Sequence, residues 1–126
     1  MKRTINTTNA PAPIGPYNQA VAAGGFLFLS GQIAINPESN ELSLGSIDSE
    51  THQVMRNIKA VLLEAGYGLE DVVKTTIFLS DMSLFAEVNE IYGSYFTSEF
   101  PTRETVAVKG LPKGVNVEIS VVAFRA

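Results

Sequence analysis

From Val115 to Phe124 the chain alternates in a way that only an extended segment can use. Val115, Val117, Ile119, Val121 and Ala123 fall on one face, and Asn116, Glu118, Ser120, Val122 and Phe124 on the other. Successive side chains of a strand point to opposite faces, so the first set predicts a face buried against a core. The second set is mixed in character and has an acid in its middle. Two helices of the same chain can cover one face of such a sheet. The apolar parts of the other face then require a second chain, which places Glu118 near a subunit boundary.

The rest of the chain supplies those helices. Gly24-Gly25 is a turn signal between Tyr17 to Ala22 and Phe26 to Gly31, which predicts a hairpin. Ala10 to Pro16, the densest proline cluster, reads as an ordered arm feeding the first of these strands, and the polar run Thr4 to Asn9 carries no element. A loop through Asn36-Pro37 and Asn40 follows, with one short apolar piece. Asp48 or Ser49 caps a first helix, whose stripe is Val54, Ile58, Val61, Leu62 and Ala65 and whose stop is Gly66. Val72 to Leu79 is a strand whose periodicity leaves parallel and antiparallel pairing open. A second helix spans Ser83 to Phe96, with Leu84, Phe85, Val88, Ile91, Tyr92 and Tyr95 as its stripe. Arg103 to Val108 and Val115 to Phe124 complete a ββ(β)αβαββ order, an α+β fold.

Composition bounds the chemistry. At 126 residues the chain is expected to form one domain over residues 1–126. It has no Cys, which removes disulfides, thiol nucleophiles and Cys-based zinc sites, and suits a reducing compartment. The one histidine, His52, rules out a multi-His metal or catalytic site. The net charge of −4 argues against a nucleic-acid surface. The start, Met1-Lys2-Arg3 followed by polar residues, holds no hydrophobic signal core, and no run has the length of a membrane span, so the expected address is the cytoplasm.

Within these bounds two residues carry chemistry. Arg103 opens one strand and Glu118 sits among Val and Ile in the next. A guanidinium is a natural fork for a carboxylate, and an acid among apolar residues can handle protons. Structural roles compete with these. Arg103 could be a surface ion-pair partner and Glu118 an interface salt bridge. Tyr17 suits a core or interface aromatic, Ser30 a strand end, and Asn89 a side chain that bonds only backbone.

The sequence resembles the Rid family, the reactive enamine/imine deaminases also called the YjgF type. The matching pieces are Ala12-Pro13-Ile14-Gly15-Pro16-Tyr17, Ser30-Gly31-Gln32-Ile33, Val73-Lys74-Thr75-Thr76, Val88-Asn89, Phe100-Pro101-Thr102-Arg103, Leu111-Pro112-Lys113-Gly114 and Val117-Glu118-Ile119. They occur in order and cover nearly the whole chain. The resemblance implies a chorismate-mutase-like α+β fold, a mixed sheet with two helices on one face. It also implies a homotrimer with ligand clefts between subunits, Arg103 and Glu118 of one chain meeting a wall supplied partly by the next, and hydrolysis of 2-imino acids to 2-keto acids without metal or cofactor. By the same resemblance Arg103 grips the substrate carboxylate, Glu118 holds the water and passes protons, Tyr17, Ser30 and Gly31 line the cleft, and Asn89 lies near it. Many relatives have Cys where this chain has Thr105, and a second acid where it has Ser120. The Thr105 hydroxyl shares a strand face with Arg103, so it can still face the cleft. A second function on the same scaffold is a non-catalytic sensor or interaction protein that binds small carboxylates, for which Glu118 would be dispensable. RNA cleavage, an activity of some relatives, is disfavoured by the acidic balance and single His, and a holdase role has no sequence signature here.

Overall fold

The computed structural model describes all residues, 1–126. Its elements are β1 (Arg3–Ile5), β2 (Ala20–Ala23), β3 (Phe26–Leu29), α1 (Ile47–Glu64), β4 (Val72–Leu79), α2 (Phe85–Gly93), β5 (Thr102–Ala107) and β6 (Val117–Phe124). The strands form one mixed sheet in the order β1-β2-β3-β6-β4-β5. Every neighbouring pair is antiparallel except β4 with β5, which is parallel. This is the expected α+β architecture, and the pairing of Val72 to Leu79 is settled both ways: antiparallel to β6 on one side, parallel to β5 on the other.

The alternation of the last strand organises the core. Val117, Ile119, Val121 and Ala123 are buried in it, against Val54, Met55, Ile58, Val61 and Leu62 of α1. Val88 and Tyr92 of α2 join the same core. The face that carries Glu118 has no helix. There Phe26, Phe28 and Phe124 are 43%, 48% and 40% exposed. Their rings cluster, with Phe26 4.8 Å from Phe124 and 6.1 Å from Phe28 between centroids.

Several boundaries differ from expectation. The extra strand is β1, in the stretch read as polar and without an element. Only Ile5 of its three residues is buried, so it leaves almost no pattern. The loop after β3 makes only isolated bridges, Gln32 with Ile119 and Ile35 with Leu42. The first hairpin strand begins at Ala20 rather than Tyr17: the Gln19 backbone N–H donates to the Asn6 side chain in place of a ladder bond, and the buried Gln19 side-chain amide donates to the Thr7, Ala10 and Pro11 carbonyls and ties down the proline arm. Gly24 and Gly25 turn the hairpin with φ of 56° and 87°, a pair of left-handed residues that glycine supplies without strain. The cap of α1 is Ser46, not Asp48 or Ser49. Its hydroxyl accepts from the Ser49 N–H at 3.0 Å, and the Ser49 hydroxyl accepts from the Ser46 N–H at 3.2 Å. The second helix is shorter than expected. A 3-10 turn at Met82–Leu84, begun by Asp81, precedes it, and it ends at Gly93. No helix is long and apolar enough to cross a membrane.

One buried carboxylate joins α1 to the strand that bears Glu118. Glu50 is fully buried. It accepts from the backbone N–H groups of Asn116 and Val117 at 2.7 and 2.9 Å and from the Asn116 side-chain amide at 3.0 Å. Three donors stand in for the water the carboxylate has lost, and in return the start of β6 is pinned to the first turn of α1. Glu50→Ala leaves buried backbone donors unpaired and should cost about 2–3 kcal/mol in a chemical denaturation experiment. A change below 0.5 kcal/mol would mean that water or local relaxation replaces the carboxylate.

Candidate functional site

The residues singled out from sequence collect into two groups. The first surrounds Glu118. Tyr17, Ser30, Gly31 and Glu118 line one recess of about 360 Å³, with Ile14, Ile33 and Ile35 among its apolar walls. Glu118 projects from the helix-free face of β6 and meets Gly31 just after β3. A side chain at Gly31 would overlap the Glu118 carboxylate as it now lies, so the bare glycine lets that carboxylate rest against the backbone. Burial pushes the Glu118 carboxyl above the ordinary carboxylate value of 4.5, since the charged form loses water. The Ser30 hydroxyl donates to the Asn18 carbonyl at 2.7 Å, and the Tyr17 hydroxyl accepts from the Ile14 N–H at 3.2 Å. Both therefore hold the arm in place and also border the recess.

The second group surrounds Arg103. Strand register decides where it points: Arg103 on β5 pairs with Thr75 on β4, which pairs with Val121 on β6. All three face the helices. Arg103 donates from Nη1 to Asn89 Oδ1 at 2.6 Å. Its Cζ lies 5.5 Å from the ring centroid of Phe85 and 5.4 Å from that of Tyr92. Such distances allow the ring faces to attract the cation. Asn89 thus bonds a side chain, where the sequence suggested backbone alone. By sequence Phe85 and Tyr92 belong only to the apolar stripe of the helix. The available signal was their spacing, four before and three after Asn89, which puts the three on one helical face. Thr105 also lies on the helix side, paired with Ile77. Its hydroxyl oxygen is buried without a hydrogen-bond partner within the chain.

The expectation that Arg103 and Glu118 of one chain share a cleft, walled partly by the next chain, does not hold: the two groups do not meet in one chain. Glu118 pairs with Phe78 of β4 and Arg103 with Thr75, an odd separation, so they leave the sheet on opposite faces. A larger groove of about 950 Å³ runs between the C-terminal half of α1 and residues 95–99 and includes none of these residues. No three His, Cys, Asp or Glu side chains come together as a metal-binding group.

With this geometry in view, the family pattern described as Endoribonuclease L-PSP matches residues 7–125. A RutC family protein of Pyrococcus horikoshii is 51% identical over 125 residues, covering 99% of each chain. The solved structure of a conserved Rid family protein of Yersinia pestis is similar at TM-score 0.96 and 48% identity, over 99% of this chain and 100% of that one. The chain belongs to the Rid family. Another similar solved structure, Escherichia coli TdcF with bound serine, has TM-score 0.94 and 37% identity over 98% and 99% of the two chains.

Two predictions follow from the Glu118 recess. Gly31→Ala must push the carboxylate aside, and that carboxylate is the end of a flexible side chain, so the protein should still fold while any activity that uses Glu118 falls at least about tenfold. A steady-state assay beside a thermal melt checks it, and unchanged turnover would detach Glu118 from the chemistry. The second uses the raised pKa. A carboxyl whose folded pKa lies above its unfolded one supports folding fully at pH below the unfolded value, and that support is lost as pH rises through the folded value. Glu118→Gln should therefore raise Tm at pH 7.5 relative to the parent and make no difference near pH 4. Melts at the two pH values decide it. The opposite sign at pH 7.5 would reveal a cation against Glu118 in the assembled protein.

Proposed function

We propose that this protein is a deaminase of 2-imino acids, with 2-iminobutanoate and 2-iminopropanoate as substrates, acting in the cytoplasm as a homotrimer of single Rid domains. Membership of the Rid family supports imine deamination at the level of the family. The observation that carries the reading for this chain is the division of its candidate groups. A guanidinium with N–H donors to spare sits on one face of the sheet, and a half-buried acid with a raised pKa sits in a recess on the other. Neither half suffices alone. Two chains packed so that the helix-free face is covered would set Arg103 of one across a ligand-sized cleft from Glu118 of the next, without direct contact, and the exposed Phe26, Phe28 and Phe124 give that packing an apolar reason.

In such a cleft Arg103 takes the substrate carboxylate through paired N–H donors. Glu118, as carboxylate, draws a proton from a water while the water oxygen bonds to C2 of the protonated imine and the C=N π pair moves to nitrogen. The tetrahedral adduct then receives that proton on its amino group. The C–N bond breaks as C=O forms, releasing ammonia, and the remaining hydroxyl proton passes to Glu118 or to solvent. Imino acid and water become keto acid and ammonium. Burial raises the Glu118 pKa, which makes its carboxylate a stronger base toward the attacking water than an exposed one. The apolar walls at Ile14, Ile33 and Ile35 accommodate the short alkyl side chain.

A second reading, a sensor that binds small carboxylates without turnover, is favoured by one finding: the relative solved with serine holds an amino acid, which has no C=N bond to hydrolyse. Glu118 separates the two. Imine can be generated in place with an amino-acid oxidase and its loss followed. A deaminase should lose about 10²–10⁴-fold in kcat as Glu118→Gln while keeping keto-acid binding, and about 10²-fold in kcat/KM as Arg103→Ala, with Lys recovering little. Since each cleft draws on two chains, Arg103→Ala and Glu118→Gln subunits refolded together should regain activity that neither has alone. Failure to regain it with mixed trimers verified by mass would put both residues in one chain's site. An inert parent that binds keto acids would establish the sensor.

A further inference from the structure

Behind Arg103 lies a pair of hydroxyls with no part in the reaction above. Tyr92 is 3% exposed and Thr75 is fully buried. The Tyr92 hydroxyl donates to Thr75 Oγ1 at 2.9 Å. Thr75 is also the β4 residue in register with Arg103 on β5, so the acceptor that holds the ring and the cation that lies over it hang from adjacent positions of one ladder. The ring face is 5.4 Å from the Arg103 Cζ, and Phe85 approaches the same carbon at 5.5 Å. Asn89 takes only one N–H of the guanidinium, and the fork has five donors in all.

We propose that Tyr92 and Thr75 are positioning residues for Arg103. Their hydrogen bond sets the tilt of the Tyr92 ring, the ring sets the plane of the guanidinium, and the plane aims the free edge of the fork at an incoming carboxylate. The physical need is clear. A long Arg side chain on an edge strand has many rotamers, and ordering it at the moment of binding costs affinity. A ring that could swing would leave that freedom in place. The Tyr92 hydroxyl is pushed above its ordinary pKa by burial, against the pull of Thr75 and Arg103, so it stays protonated and keeps donating throughout the working range. The consequence for ligand binding rests on Arg103 being the carboxylate grip, whereas the ordering of Arg103 does not.

Two near-isosteric changes test it. Tyr92→Phe keeps the ring and removes the donor, and Thr75→Val keeps the shape and removes the acceptor. Each should weaken binding of 2-ketobutyrate and raise KM by about three- to tenfold, with kcat little changed, as the loss of one neutral hydrogen bond allows. The double variant should be no worse than the weaker single one, because both break the same bond. Calorimetry with 2-ketobutyrate and the nitrogen and proton NMR signals of the Arg103 Nε–H group read the two halves of the proposal separately. In both variants the Arg103 signal should broaden and move toward that of a free guanidinium. An unmoved Arg103 signal overturns the proposal, whatever happens to Tm or to ligand binding, since a merely structural pair would lower stability alone. A moved signal with unchanged 2-ketobutyrate affinity overturns the role in binding. Unchanged binding in Arg103→Ala would instead overturn the carboxylate grip on which that part depends.

Discussion

The pleat of β6 governs this molecule. It is a central strand, flanked by β3 and β4, and its inward residues form the floor on which both helices pack. Because strand side chains alternate, the burial of Val117, Ile119 and Val121 forces Glu118 outward, away from the helices. The same register carried across β4 sends Arg103 the other way. A slip of one residue would exchange the faces, bury an acid under α1 and expose the core. The Glu50 carboxylate opposes such a slip, because its bonds to Asn116 and Val117 fit only one position of the strand.

The two candidate groups are built on different physics. Around Glu118 the chain withholds water and supplies no cation, which raises the cost of charge and leaves an acid ready to exchange a proton. Around Arg103 the chain supplies two ring faces and one amide oxygen, which order a permanent charge without neutralising it. Each is incomplete in the way the other would answer. The helix-free sheet face, rich in phenylalanine, gives a second copy reason to dock beside the acid.

Much of the architecture was legible because its elements have strong periods. Val72 to Leu79 coincides with β4, and the stripe Val54, Ile58, Val61 and Leu62 is the buried face of α1. What escaped was short or polar. β1 buries one side chain, and the Ser46 cap competes in sequence with Asp48 and Ser49. Glu50 carries its signal in its place four residues before Val54, on the apolar stripe, where a carboxylate calls for partners. Asn89 could not be paired with Arg103 from sequence, since they stand 14 positions apart on a helix and a strand joined by a loop of no fixed period.

By itself the sequence determined the class of fold, the family, and which residue types carry the chemistry, because alternation, helical stripes and motif spacing are local properties written along the chain. Which of those residues can meet was decided only by the tertiary structure. Facing is the sum of register over three strands, and no single segment encodes that sum. The division of Arg103 and Glu118 between opposite faces, and the Thr75–Tyr92 support beneath the guanidinium, exist only once β4 lies between β6 and β5.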